Sequence, residues 1–374
     1  MEEPVSIVPK GLDGVAVDET AICLADKATD RLYCRGYAIE DLAQQASYEE
    51  VAYLLLNGEL PTASALDAYK RSVAGQRALP LPLRTILGQL PETADPMDVL
   101  RTGISALGSL EPETKEGGID AVGRRLIGCL PGMLLHWFHR EKPESDAAST
   151  DADSAARNLL LLLHRKEPSA LVQRAIEVSL IVYAEHDFNA STFAARVAAS
   201  TLTDAYSAYV AAISALRGPL HGSANAAVLR FLQRYNSADE AEAAVRDLLA
   251  QKARIPGFGQ RAYSKSDPRN AINKKWAKQL AEASGGTTLY EVADRIEGLL
   301  LRERGMFANL DYYTALIYAS CGLPTQLFPP MFMIARLCGL TAHIAEQRAN
   351  NRLIHPSSRY VGPAPRAYVP LSER

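Results

Sequence analysis

Beyond about residue 40 the chain offers no series of regularly spaced strands, and its apolar residues recur at helical spacing almost to the end. That pattern, with no GxGxxG turn anywhere, confines the chain to a nearly all-α architecture. The run from Glu49 to Leu56 stops at Asn57-Gly58, a pair that ends helices, and Pro61 opens the next helix, with Leu66 and Tyr69 on one side. Pro168 precedes a helix over 169–184 that aligns Leu171, Ala175, Val178 and Val182, after a Leu-rich helix end over 158–164. The stretch 192–216 is dense in small residues, which lets helices approach closely. Ser237 and Glu240 have capping-box spacing before 241–249, and amphipathic helices are expected over 288–304 and 331–350. Before residue 40, Gly11, Gly14, Gly36 and the β-favouring Arg31 to Cys34 run predict short strands and turns. The polar segment 141–156 reads as a solvated connection.

Composition excludes several classes of function. A chain of 374 residues with 48% hydrophobic and 22% charged residues can bury a large core in one or two domains. The net charge is −3 and no long Lys/Arg run occurs, so no nucleic-acid surface is expected. No basic and apolar leader opens the sequence, and the apolar stretches are broken by Arg, Glu or His, so neither a secretory signal nor a membrane span is expected. The five scattered cysteines form no CxxC and read as a reduced, cytoplasmic set of thiols.

Chemistry concentrates in four segments: 183–193, 218–225, 256–269 and 307–313. His186 follows an apolar helix, and His221 sits in a Gly-Pro-x-His-Gly loop before a helical stretch. Gly257 and Gly259 make a third flexible loop, which runs into Asp267-Pro268-Arg269. Asp311 lies among aromatic residues, where desolvation would lift its pKa toward that of a usable base. Each also has a plainer reading, the histidines as structural hydrogen-bonders and Asp311 as a helix cap. His186, His221 and Asp311 are ligand types for a metal, but no HxxxH or HxH spacing joins them, and no GxSxG elbow supports a serine nucleophile. Periodicity and spacing alone reach a helical, ligand-binding protein.

Taken together and in order, these segments resemble the citrate synthase family, most closely its 2-methylcitrate synthase branch. The likeness begins at Tyr33 to Leu42, passes through Glu49 to Pro61 and ends near Glu346 to Arg352, so it spans nearly the whole chain. The resemblance implies a mostly helical homodimer with a few short N-terminal strands. A large domain would comprise 1–217 plus 329–374, and a smaller one, 218–328, would close over the substrates. The substrates would be an acyl-CoA and a small 2-oxo acid, bound in the order oxo acid first, with no metal or other cofactor. Residue by residue, it implies that Asp311 is the general base and that His221 stabilises the enol at the thioester oxygen. His186, Arg269 and Arg336 would hold the 2-oxo acid. Arg261 and Lys265 are candidates for the CoA phosphates on charge alone.

Two positions depart from the family pattern. Gln260 stands where a histidine normally donates to the ketone oxygen; its amide still donates a hydrogen bond but supplies no proton, a loss on the order of 10²–10⁴-fold if that transfer matters. His355-Pro356 replaces an Arg-Pro pair whose arginine reaches the oxo acid across the dimer. Both fall on the acceptor side, which leads to the expectation of an altered acceptor. One such acceptor is phosphonopyruvate, condensed with acetyl-CoA to 2-phosphonomethylmalate as in phosphonate biosynthesis. The alternatives are an ordinary citrate or 2-methylcitrate synthase using oxaloacetate, and a silent paralogue kept as a binding partner.

Overall fold

The computed structural model describes residues 9–12, 14–140, 153–222, 224–259 and 262–374. Three short strands, β1 (Cys23–Asp26), β2 (Arg31–Cys34) and β3 (Tyr37–Ala38), form an antiparallel sheet in that order. Cys23 pairs with Cys34 across the β1–β2 hairpin, so these two cysteines face each other; all five are free and buried. The chain then turns helical: α1 (Ile39–Gln45), α2 (Tyr48–Asn57), α3 (Ala63–Ala74), α4 (Leu81–Gly88), α5 (Pro96–Leu110) and α6 (Gly118–Phe138). Next come α7 (Ala155–His164), α8 (Ala170–Tyr183), α9 (Ala190–Ser200), α10 (Ala205–Leu216) and α11 (Ala224–Leu232). The last are α12 (Ala238–Ala250), α13 (Pro268–Ser284), α14 (Thr288–Arg304), α15 (Leu310–Ser320) and α16 (Phe328–Ala349).

Local chemistry explains most boundaries. Ser47 and Glu50 close a full capping box on α2, and Gly58 ends that helix in the left-handed conformation at φ 87°. Thr62, not Pro61, caps α3. At α12 Ser237 accepts from the Glu240 N–H, but the Glu240 carboxylate reaches back to the Asn236 N–H, one residue beyond the reciprocal bond that the spacing predicts. The small-residue stretch divides at Thr201–Asp204 into α9 and α10, which pack on each other; Asp204 caps the second helix by accepting from Ser207. Of the expected connection over 141–156, residues 141–152 lie outside the described residues, and the remainder is already the start of α7, capped by Ser154.

α16 is the axis of the core. It packs against α2, α5, α6, α8, α9, α10 and α11, and Tyr48 on α2 donates to its Ala335 carbonyl at 3.0 Å. With its preceding turn, α16 is long and apolar enough to cross a membrane, contrary to the reading of short, broken apolar stretches. Other helices bury 94% of that window, as expected of a central core helix. The helix starts three residues earlier than predicted because prolines fit its first turn, where their missing N–H has no intrahelical partner.

Candidate active site

The four segments converge on one cavity of about 490 Å³, ordinary for a small-molecule site. His186, His221, Arg269, Asp311 and Arg336 all line it. Each reaches the cavity by a specific local device. α8 ends at Tyr183, and the chain turns through Asp187, at φ 54°, to Asn189, which caps α9 by accepting from Thr192. His186 lies on this turn and meets the Tyr263 hydroxyl at 3.0 Å. The turn lies tight against α16 at Gly339. A Cβ there would stand 2.2 Å from Glu185 Oε2 and 2.3 Å from the Ala184 carbonyl. Gly339→Ala is therefore expected to push His186 out of register and lower turnover on the order of 10²-fold, measured beside a melting curve that falls by only a few degrees.

The 218–222 turn presents His221. Its Nε2 accepts from the Ser191 N–H at 3.3 Å and lies 2.9 Å from the Ser191 hydroxyl, so the proton of the neutral ring sits on Nδ1. Burial, reinforced by the Arg336 charge, pushes the His221 pKa down to about 4, and the ring is a neutral N–H donor at physiological pH. The third loop is tied to the fourth segment: Asn309 donates its backbone N–H to the Gly257 carbonyl at 2.9 Å, and Phe258 bridges Ala308. Gly257, at φ 84°, has Tyr312 and Val228 within 2.7 Å of where a Cβ would sit, so only glycine allows this approach.

Asn309, not Asp311, caps α15, accepting from the Asp311 N–H at 3.1 Å. This disposes of the plain reading of Asp311 as a cap and leaves its carboxylate at the cavity. Burial raises its pKa to about 6, against the lowering effects of the Tyr183 hydroxyl at 2.5 Å and of Arg269 and Arg336. A carboxylate in that range is ionised at neutral pH and still basic enough to take a proton.

Two buried arginines also line the cavity. Asp267 grips Arg269 through both oxygens, at 2.9 and 2.7 Å, and also accepts from the Leu310 N–H, which fixes α13 to α15. Arg336 has no such carboxylate. Its Nε donates to the Tyr183 carbonyl at 2.6 Å, its guanidinium lies over Phe332, and its buried Nη1 has no hydrogen-bond partner among the described residues. Burial and then Arg269 disfavour its charge, while Glu185 supports it. A buried cationic donor with no partner, on the wall of a cavity, is complementary to an anionic ligand. Burial and these two arginines keep His186 well below its ordinary pKa.

Of the remaining expected residues, Lys265 and His355 do not join this group. Gln260 and Arg261 lie outside the described residues. Lys265 is exposed and off the cavity wall, its backbone N–H held by Asp30 at 2.8 Å. Arg254, a cation that the sequence reading passed over, is on the wall instead; its place three residues before Gly257 was the available signal. His355 is exposed on the extended segment after α16 and does not line the cavity of its own chain. Among the described residues no group of His, Cys, Asp or Glu side chains could hold a metal ion.

Comparison with known proteins identifies the family. Residues 11–357 match the family model described as citrate synthase, C-terminal domain. A 2-methylcitrate synthase of Shewanella oneidensis is 44% identical over 100% of both chains. The citrate/2-methylcitrate synthase of Bacillus subtilis is 38% identical over 97% of this chain and 98% of its own. Among solved structures, the chain is similar to the ternary complex of carboxymethyl coenzyme A and oxaloacetate with the citrate synthase of Thermoplasma acidophilum. It superposes with a TM-score of 0.90 at 31% identity, covering 98% of this chain and 100% of that one. The chain belongs to the citrate synthase family of acyl-CoA-condensing transferases.

Proposed function

We propose that the chain is a 2-methylcitrate/citrate synthase, joining propionyl-CoA or acetyl-CoA to oxaloacetate with release of CoA. The observation that carries this reading is the placement of Asp311, with a pKa of about 6, in one cavity with the partnerless N–H of Arg336. Asp311 removes a proton from the carbon next to the thioester, and the electron pair moves onto the thioester oxygen. His221 donates its Nδ1–H there. Arg269, Arg336 and His186 hold the oxo acid while the new carbon–carbon bond forms at its ketone carbon, and water then cleaves the thioester. In this reading Gln260 would hydrogen-bond the ketone oxygen, whose alkoxide takes its proton from water, and Arg254, on the cavity wall, joins Arg261 as a candidate for the CoA phosphates.

The relatives described above are named as citrate and 2-methylcitrate synthases, and the solved complex holds oxaloacetate. These favour oxaloacetate as acceptor. Phosphonopyruvate, expected from Gln260 and His355, gains no support from them. The same reading includes closure of 218–328 over 1–217 plus 329–374, and a homodimer. Past α16, Leu353, Tyr360, Val361, Tyr368 and Leu371 are more than half exposed, an apolar arm suited to a second copy that would carry His355 with it. Five free, buried thiols fit a cytoplasmic setting.

The test is the mass of the product formed from propionyl-CoA and acetyl-CoA with oxaloacetate, phosphonopyruvate, pyruvate and 2-oxoglutarate. Turnover with oxaloacetate should exceed that with each other acceptor; a clear preference for another acceptor refutes the proposal. In the same assay Gln260→His is expected to raise kcat with oxaloacetate by about 10-fold or more, by restoring a group able to transfer a proton.

A further inference from the structure

Tyr183 does not line the cavity, yet it touches two of the groups that do the chemistry and one aromatic residue of the wall. Its hydroxyl donates to Asp311 Oδ1 at 2.5 Å, and its backbone carbonyl accepts from Arg336 Nε at 2.6 Å. Its ring meets Phe332 edge-on at 4.8 Å; Phe332 in turn lies under the Arg336 guanidinium and 5.6 Å from the His221 ring. The side chain is fully buried, and it sits at the last position of α8, before the turn that carries His186.

We infer that Tyr183 is a positioning residue for proton abstraction: by donating to one oxygen of Asp311 it leaves Oδ2 as the oxygen that takes the substrate proton, and it sets that oxygen in register with the arginine that holds the acceptor. This deepens the proposed function and rests on Asp311 being its base. In the step, the C–H bond beside the thioester breaks, the proton passes to Oδ2, and the electron pair goes to the thioester oxygen. The tyrosine keeps its own proton, since burial holds its phenol well above the ordinary range.

A second consequence concerns pH. The groups that act on Asp311 are Tyr183 from α8, Arg269 and Asp267 at the start of α13, and Arg336 from α16; Tyr318, two α15 turns further on, is a buried neutral phenol. Burial raises the carboxyl, and the Tyr183 hydrogen bond is the largest of the opposing effects. Deleting the hydroxyl therefore moves the Asp311 pKa upward.

The experiment is Tyr183→Phe in the full-length protein, assayed with oxaloacetate from pH 5 to 9. The acid limb of kcat is expected to move up by about one unit, with the high-pH plateau down about 10-fold and the KM for oxaloacetate changed less than about 3-fold. A purely structural tyrosine would leave the limb in place, and that result overturns the inference. The double variant with Asp311→Asn covers the case in which folding suffers. If Tyr183 acts through Asp311, adding Tyr183→Phe to Asp311→Asn lowers the residual turnover no further than Asp311→Asn alone, whereas independent losses that multiply refute the inference. Failure of the underlying reading looks different: Asp311→Asn alone would then remain active.

Discussion

Asp311→Asn is expected to abolish turnover, by at least about 10³-fold, while making the ligand-free protein more stable at neutral pH. The amide is nearly isosteric and still accepts the Tyr183 hydrogen bond, but it cannot take a proton. The stability effect follows from linkage. The carboxyl has a folded pKa of about 6 against a model value of 3.8. A group raised in this way contributes its full stability below the unfolded pKa, and that contribution is lost as pH rises through the folded pKa. At pH 8 the ionised carboxylate therefore costs on the order of 2–3 kcal/mol, which the neutral amide avoids. Melting curves of the two proteins should differ by several degrees at pH 8 and converge toward pH 4.5. The kcat of the parent should fall below about pH 6 as Asp311 protonates, and His221, already neutral, should add no limb there. An inactive variant with no gain in stability would show that burial does not strain this carboxylate.

Arg336→Met should separate acceptor binding from folding even more sharply. Among the described residues the buried guanidinium has no carboxylate partner, and its charge is disfavoured by burial and by Arg269. An anionic substrate supplies the missing partner, and truncating one member of such a buried pair costs about 2–5 kcal/mol, or roughly 10²–10³-fold in affinity. The KM for oxaloacetate should rise by that factor, with the acyl-CoA KM at saturating oxaloacetate little changed. Methionine fills similar volume without a charge, so the melting temperature should hold or rise. Arg336→Lys should not restore affinity, because a single ammonium cannot both donate to the Tyr183 carbonyl and present a second donor in the same plane. An unchanged KM in the methionine variant would remove Arg336 from the acceptor site. Both predictions describe one condition: the empty site holds charges that its substrates are needed to complete.

The helices were legible wherever their ends carry side-chain or glycine signals. α14 falls at 288–304 as read, and α2 is bounded by Ser47 and Gly58. Where proline sits inside or at the start of a helix, the sequence pattern yields no assignment or a late start. α6 runs through Pro131 with its neighbours buried, so tertiary packing holds a helix that propensity would break, and α16 begins before Pro329 and Pro330. His186, His221, Arg269 and Asp311 were legible because their segments stand out from an apolar scaffold, Arg336 came only from the family resemblance, and all five meet in one cavity. Tyr183 was hidden because its role depends on a partner 128 positions away, and an apolar helix end gives no sign of it. Lys265 was a reading from charge alone, and the Asp30 contact that turns its segment toward β1 and β2 is equally invisible in sequence.

The central claim is that this cavity condenses an acyl-CoA with oxaloacetate through Asp311. It is tested most directly by following free thiol from propionyl-CoA as oxaloacetate is added to the purified protein, with Asp311→Asn alongside. The account predicts thiol release that requires oxaloacetate, saturates with it and disappears in the variant. Release that ignores oxaloacetate, or that persists without the Asp311 carboxylate, would contradict it.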